Sequence, residues 1–256
     1  MIRALSALAW LARAPSPADG DGPGGVAGSG PIATRVTHER DALQLLSAAG
    51  LPVVPSALAV SADQAVAAAG RIGYPVVAKI VSADILHKTD VGGVSLDLRD
   101  EQAVRDAYAT VTANAARHAP KAAIDGVLIA PMVRGGIECI LGVQQDPAFG
   151  PVVMFGLGGI LVDALKDVSF RAAPFGRDEA LSMIREIRGY PVLTGLRGAP
   201  PADIDALADA LVALSSFAAA AGPSMQSLDI NPMLVRAKGE GVMALDAVIV
   251  GQGAAR

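Results

Sequence analysis

A chain of 256 residues stands near the length at which one hydrophobic core stops growing and a protein divides into lobes. Its composition, 52% hydrophobic and 18% charged, excludes disorder over most of the length. A net charge of −4 and a pI near 5.4 leave no electrostatic footprint for nucleic acid. The lone cysteine, Cys139, excludes an internal disulfide framework and a cysteine-based zinc site, and reads as a buried strand residue. Cytoplasm is the expected compartment. With no uninterrupted apolar run of about 18 residues, no membrane partner is expected.

In chain order, "MIRALSALAWLAR" spaces Leu5, Leu8 and Leu11 at near-helical intervals and predicts a short helix. Arg13 closes its apolar part after about nine residues, short for a secretory signal. Ala14 to Pro31 holds six glycines and four prolines and reads as a flexible linker, so residues 1–36 stand apart. The folded part begins with "THERDALQLLSAAG", a helix with a capping threonine, early acidic residues and a closing glycine, Gly50. "LPVVPSALAVS" reads as a strand with proline edges, "SADQAVAAAGRIG" as a capped helix, and "YPVVAKIVS" as a β-branched strand. A charged loop, the strand "GVSLDL" and a long helix from Asp100 to about His118 follow. "DGVLIAPMV", "IECILGVQQD" and "GPVVMFGLGG" are the next strands. Helical stretches then cover Arg177–Gly189 and Pro201–Ala221, and the chain ends in "MQSLDINPMLVRAKGEGVMALDAVIV". Strands and helices mix without strict alternation, which predicts an α+β protein of two lobes, divided at residues 37–125 and 126–256.

The closing stretch permits a geometric argument. "LDINPMLV" and "VMALDAVIV" flank "RAKGEG", which has turn composition, and predict a β-hairpin. If the turn centres between Lys238 and Gly239, Asn231 falls opposite Asp246, with Cβ atoms about 5 Å apart. Asp229 shares that face, while Leu228, Ile230, Leu245 and Ala247 turn to the core. A carboxylate and an amide oxygen so placed can share a hard cation such as magnesium, with phosphate oxygens completing the shell. The same pattern also fits a polar face in solvent.

The loop "ILHKTDVGGV" carries the densest chemistry. Gly92 and Gly93 let backbone N–H groups approach a phosphate closely, and Lys88 adds a cation. Lys79 lies within an apolar strand, where burying an unpaired ammonium is costly. Either its side of the strand opens onto an anion, or the strand is an edge with its lysine tip in water. His87 is the histidine with reactive neighbours, since a neutral imidazole can attack a phosphoryl group. His38 and His118 read as ordinary surface residues. The glycines of "GPVVMFGLGG" do not form a dinucleotide fingerprint and fit a tight turn.

In this order, "HKTDVGGV", "GPVVMFGLGGILVDALKDVSFRAAP" and "LDINPMLV…ALDAV" resemble the ATP-grasp domain of ADP-forming acyl-CoA (acetate–CoA) synthetases, relatives of the succinyl-CoA synthetase β-subunit. The resemblance spans Thr37 to Val250. It implies a two-lobed ATP-grasp fold with nucleotide, ATP or ADP, between the lobes. Lys79 matches a phosphate contact. "IAPMV" matches the adenine hinge, so that Ala130, Pro131, Met132 and Val133 supply mainly backbone contacts. Glu138 matches a ribose contact. Asn231 and Asp246 match the Mg2+ ligands, in agreement with the hairpin argument. His87 matches a phosphohistidine that relays phosphate to ADP, with Lys88 beside it, and Arg171 of "SFRAAP" is a further phosphate candidate. Asp163 and Asp229 stand where the family often has glutamate. The resemblance further implies a separately encoded β-type subunit or a detached fragment of a longer chain. Its partner would be an α-type chain carrying the CoA-binding and first phosphohistidine domains, through which the acyl substrate and CoA enter. A non-catalytic nucleotide-sensing module and a stand-alone ATP-grasp ligase are the alternatives.

Overall fold

In the computed structural model, residues 39–85, 88–158, 167–196 and 198–252 are described. The expected N-terminal helix and linker lie outside them, as do His87 and Asp163.

Four strands, β1 (Ala57–Ala59), β2 (Val76–Val81), β3 (Val94–Leu98) and β4 (Gly126–Pro131), form an antiparallel sheet in the order β1-β4-β2-β3. Helix α2 (Ala62–Ile72) starts where its cap predicts, with Ser61 Oγ accepting from Gln64 N, and ends at Gly73, whose φ of 94° suits glycine. Helix α3 (Glu101–His118) is capped likewise by Asp100. The alternation of β2 decides its two sides. Val76, Ala78 and Ile80 are fully buried beneath α2 and α3 together with Val127 and Ile129 of β4, while Val77 and Lys79 face away from those helices.

The second sheet holds β5 (Ile137–Asp146), β6 (Gly150–Leu157), β7 (Val168–Ala172), β8 (Met225–Val235), β9 (Val242–Ala244) and β10 (Ala247–Gly251), in the order β10-β8-β5-β6-β7 with β9 beside β8. Helices α4 (Arg177–Glu186) and α6 (Ile204–Ala221) pack on one of its faces, and a single turn, α5 (Tyr190–Leu193), lies between them. By length and composition α6 could cross a membrane, but Leu207, Leu211, Leu214 and Phe217 are spent on this core. Asp203 ties α6 to the β8–β9 turn. Its carboxylate accepts from Ala206 N at the helix start and from Gly239 N and Gly241 N in the turn. Burial would raise its carboxyl, yet those three backbone donors hold it below the usual range.

Helix α1 (Glu39–Ala48) joins the two sheets. Its Ala42, Leu43 and Leu46 pack in the second core, and Val77 and Ala130 from the first sheet reach the same cluster. Two expectations are corrected here. β4 belongs to the first sheet, so the passage between sheets lies after Pro131, not at residue 125, and α1 packs with the second unit although it precedes the first. The stretch Leu51–Ser61 is also not one strand. Val53 bridges Ala244, and only Ala57–Ala59 pair with β4. Pro52 and Pro55 have no N–H to continue a ladder. β7 shows no apolar alternation in the sequence because polar residues occupy its core-facing positions, Ser169 donating to Met183 O and Arg171 reaching helix carboxylates.

Candidate nucleotide-phosphate and metal site

β8 pairs with β9 and with β10 as far as Val250 in one register, Met233 opposite Ala244 and Ile230 opposite Ala247, as the turn position predicts. Between β9 and β10 the ladder is interrupted. There Asn231 N donates to Asp246 O at 3.1 Å and Leu245 N to Pro232 O at 3.0 Å. Leu228, Ile230 and Ala247 are buried, while Asp229 and Asn231 are exposed on the opposite face beside the half-buried Asp246. Leu245 is half-buried rather than a full core residue. The cross-strand partners of Asp229 extend this face through Gly142, Met154 and Phe170, and Glu138 lies on the same side of β5 as Gly142.

Two lysines from the first unit meet this hairpin. Lys79 Nζ donates to Leu245 O at 2.9 Å, in the break between β9 and β10, and to Glu39 Oε1 at 2.7 Å. It also lies 3.5 Å from Asp246 Oδ2. Lys88 Nζ contacts Asp246 Oδ2 at 3.0 Å and Glu39 Oε2 at 2.8 Å. Lys79 is therefore not an edge lysine with its tip in water, since its side chain is only 14% exposed. Burial alone would lower the Lys88 ammonium, but the Glu39 and Asp246 carboxylates outweigh it and hold the group above the usual lysine range. Sequence reasoning missed Glu39, which is 3% exposed. The signal available was an acidic residue in a helix's first turn, which is common for reasons of dipole alone.

The donor set suits magnesium delivered with a nucleotide. Among the described residues, no three His, Cys, Asp or Glu side chains form a metal cage, so the hairpin offers part of a shell and leaves room for phosphate oxygens. The surrounding protein and then the Asp246 carboxylate push the Asp229 carboxyl up to about 6. Its solvent exposure tempers that effect. A carboxyl raised in the folded state favours folding at acidic pH and loses that contribution as pH rises through about 6. Asp229→Asn should therefore raise the melting temperature of EDTA-treated protein at pH 7.5 by roughly 2–4 °C, for about 1 kcal/mol after screening. The gain should vanish near pH 4.5 in scanning calorimetry, and excess magnesium should narrow it.

Other expected site residues fall differently. The N–H groups of Gly92 and Gly93 are already engaged, donating to Thr89 O at 3.0 Å and Lys88 O at 2.8 Å. The expectation that they cradle phosphate is corrected: the glycines allow close packing within the protein. A Cβ on Gly93 would stand 2.5 Å from Ile80 Cγ2, and one on Gly92 would stand 2.8 Å from Asn114 Nδ2. Gly93→Ala should cost about 1–3 kcal/mol by overpacking and loosen the turn that presents Lys88, measurable by denaturant titration. In the hinge, Ala130 is buried and paired with Val77, and Met132 N donates to Pro75 O at 2.9 Å, so Met132 offers its carbonyl rather than its N–H. Pro131 and Val133 are half-buried beside it. Arg171 is corrected outright. Its cross-strand partner Val153, with Val143 and Leu228 beyond, marks the helix-covered face, opposite Asp229. Its guanidinium pairs with Glu179 and, at 2.8 Å, with Glu186 of α4, a structural bridge rather than a phosphate contact. Cys139 is buried in β5, and burial pushes its thiol well up, out of the reactive range.

Residues 33–250 match a sequence family described as the ATP-grasp domain. The β subunit of acetate–CoA ligase [ADP-forming] I from Pyrococcus furiosus is 45% identical over 212 residues, covering 83% of this chain and 90% of that one. The dinucleotide-forming acetyl-coenzyme A synthetase 1 of Ca. Korarchaeum cryptofilum, solved with coenzyme A, Ca-AMPCP and HgCl+, superposes with a TM-score of 0.82 at 42% identity. That match covers 85% of this chain and 93% of the solved one. A second structure of that enzyme holds coenzyme A and Mg-AMPPCP, with its phosphohistidine segment pointing towards the nucleotide site. It matches at a TM-score of 0.73 and 39% identity over 83% of this chain and 91% of its own.

Proposed function

Since the chain belongs to the ATP-grasp domain family, we propose that it is the nucleotide-binding, β-type subunit of an ADP-forming acyl-CoA synthetase. With an α-type partner in the cytoplasm it would interconvert acyl-CoA, ADP and phosphate with carboxylate, CoA and ATP. The observation that carries this reading is the meeting of Lys79 and Lys88 at Asp246, on the hairpin face that also holds Asn231 and Asp229.

The residues divide the work. The Lys79 and Lys88 ammonium groups face the phosphates and offset charge on the transferred phosphoryl group. Asn231 and Asp246, with Asp229 beside them, would hold magnesium, which when bound neutralises phosphate charge. Glu138, on the same face of β5, is the candidate ribose contact, and Ala130–Val133 border the expected adenine position. Histidine chemistry at His87, next to Lys88 in sequence, would relay phosphate between the partner's phosphohistidine and ADP. Catalysis on this plan is positioning and charge neutralisation more than covalent work by the fold.

The test is calorimetry of ADP and ATP with and without magnesium, followed by turnover with an α-type chain. Magnesium-dependent nucleotide binding and acyl-CoA-dependent ATP formation are expected. A chain that binds nucleotide but never turns over with such a partner would leave a sensing module. One that binds none would lose the reading altogether.

A further inference from the structure

Glu39 is the most secluded member of the charged cluster, its side chain 1% exposed against 14% for Lys79, 11% for Lys88 and 23% for Asp246. A carboxylate so enclosed does not meet a ligand. Its two oxygens are divided: Oε1 accepts a hydrogen bond from Lys79 Nζ at 2.7 Å, while Oε2, without a hydrogen bond, forms an ion pair with Lys88 Nζ at 2.8 Å. One short side chain thus holds side by side two ammonium groups that come from different segments, strand β2 and the loop before β3. Asp246 touches the same two lysines, at 3.5 Å and 3.0 Å. The cluster therefore holds two positive and two negative side chains. The two carboxylates are not equivalent, because Asp246 lies on the polar hairpin face and Glu39 lies behind the lysines.

We propose that Glu39 is a positioning residue of the nucleotide site, which clamps Lys79 and Lys88 as a pair and remains their counter-ion when the cation of a nucleotide complex engages Asp246. The inference rests on the nucleotide-site reading above and adds a function for a residue in α1, outside the binding face. The arrangement solves a specific problem. Two ammonium groups brought together in a poorly solvated site repel each other. A permanent carboxylate behind them offsets that repulsion and holds them side by side. A carboxylate that can be withdrawn, Asp246, offsets them until phosphates arrive.

Each group facing the pair has a predicted role: Glu39 from α1, Asp246 from the β9–β10 break, and each lysine towards the other. With Glu39 neutral, Asp246 is the remaining counter-ion, and in the magnesium–nucleotide complex that role passes to the phosphates alone. Glu39→Gln should therefore weaken magnesium–ADP binding about tenfold at pH 7.5. Glu39→Asp keeps the charge, so folding is preserved, but it is shorter by one methylene and cannot span both lysines. It should recover part of that loss and still bind magnesium–ADP several-fold more weakly than the unaltered protein.

The experiment is titration calorimetry of magnesium–ADP onto the 256-residue chain and both variants at pH 7.5, with melting curves as a folding control. A folded Glu39→Gln protein with unaltered affinity overturns the proposal. If that variant does not fold, native affinity in Glu39→Asp overturns it and reduced affinity supports it. If the unaltered chain binds no magnesium–ADP, the site reading fails and this inference falls with it. Binding by the unaltered chain that both folded variants match removes the role of Glu39 alone.

Discussion

Asp246→Ala should erase the advantage that magnesium gives ADP, raising the dissociation constant of the magnesium complex about 100-fold or more, a loss near 3 kcal/mol. The expectation follows from the double duty of that carboxylate. It is the half-buried acid on the hairpin face opposite Asn231, where a cation would be held, and it is also a partner of Lys88 and Lys79. The two duties have opposite consequences for ADP alone. With Asp246 gone, the two ammonium groups keep Glu39 as their paired carboxylate and the site loses one negative charge, with Asp229 remaining beside it. Metal-free ADP should bind as well as before or several-fold tighter, because a less negative site repels its phosphates less. The variant therefore predicts a crossing: magnesium strengthens ADP binding in the native protein and does nothing, or weakens it, in Asp246→Ala. Calorimetry with magnesium and then with EDTA reads both limbs. Undiminished magnesium dependence in the variant would remove Asp246 from the metal site. Equal weakening on both limbs would point to a collapsed cleft, which a melting curve identifies.

The hairpin was legible because its constraint is local. A six-residue polar turn fixes the register, period-two alternation fixes the faces, and Asn231 and Asp246 then fall opposite each other, as observed. Lys79 could be read as a lysine that needs an anion, since a strand leaves few ways to satisfy a half-buried ammonium. What could not be read is which groups satisfy it. Glu39 is separated from Lys79 by 40 residues and Leu245 by 166, and no periodicity links them. The glycines misled for a related reason. Gly92 and Gly93 sit in a charged loop, and the same lack of a Cβ that would admit a phosphate admits Asn114 and Ile80 instead. Arg171 misled through its polarity. An arginine in a strand suggests a ligand, but this one lies on the core face and is satisfied by carboxylates of the next helix. The boundary between the two units was misplaced because β4 follows a long helix and is apolar on both sides. It could belong to either sheet until its pairing with β1 and β2 is known.

Lys88→Ala should lower kcat/KM for ATP formation with an α-type partner by about 100- to 1,000-fold, the range seen when one charged contact to a developing anion is removed. It should also lower stability by about 2 kcal/mol, or roughly 4–8 °C in melting temperature. The stability cost falls below that of breaking an isolated buried pair because Glu39 keeps Lys79 and Asp246 is partly solvated. The catalytic cost is larger because Lys88 brings two things to the site. It supplies a cation held above the ordinary lysine range, and its backbone carbonyl, accepting from Gly93 N at 2.8 Å, closes the turn that follows His87. Lys88→Arg separates the two. A guanidinium preserves the charge and the turn but carries it on a broader, planar head that cannot fit between Glu39 and Asp246 as an ammonium does. It should restore most of the stability and little of the rate. If Lys88→Ala turns over at the native rate in a folded protein, the lysine is an anchor for the loop and nothing more, and the phosphoryl group is handled by Lys79 alone.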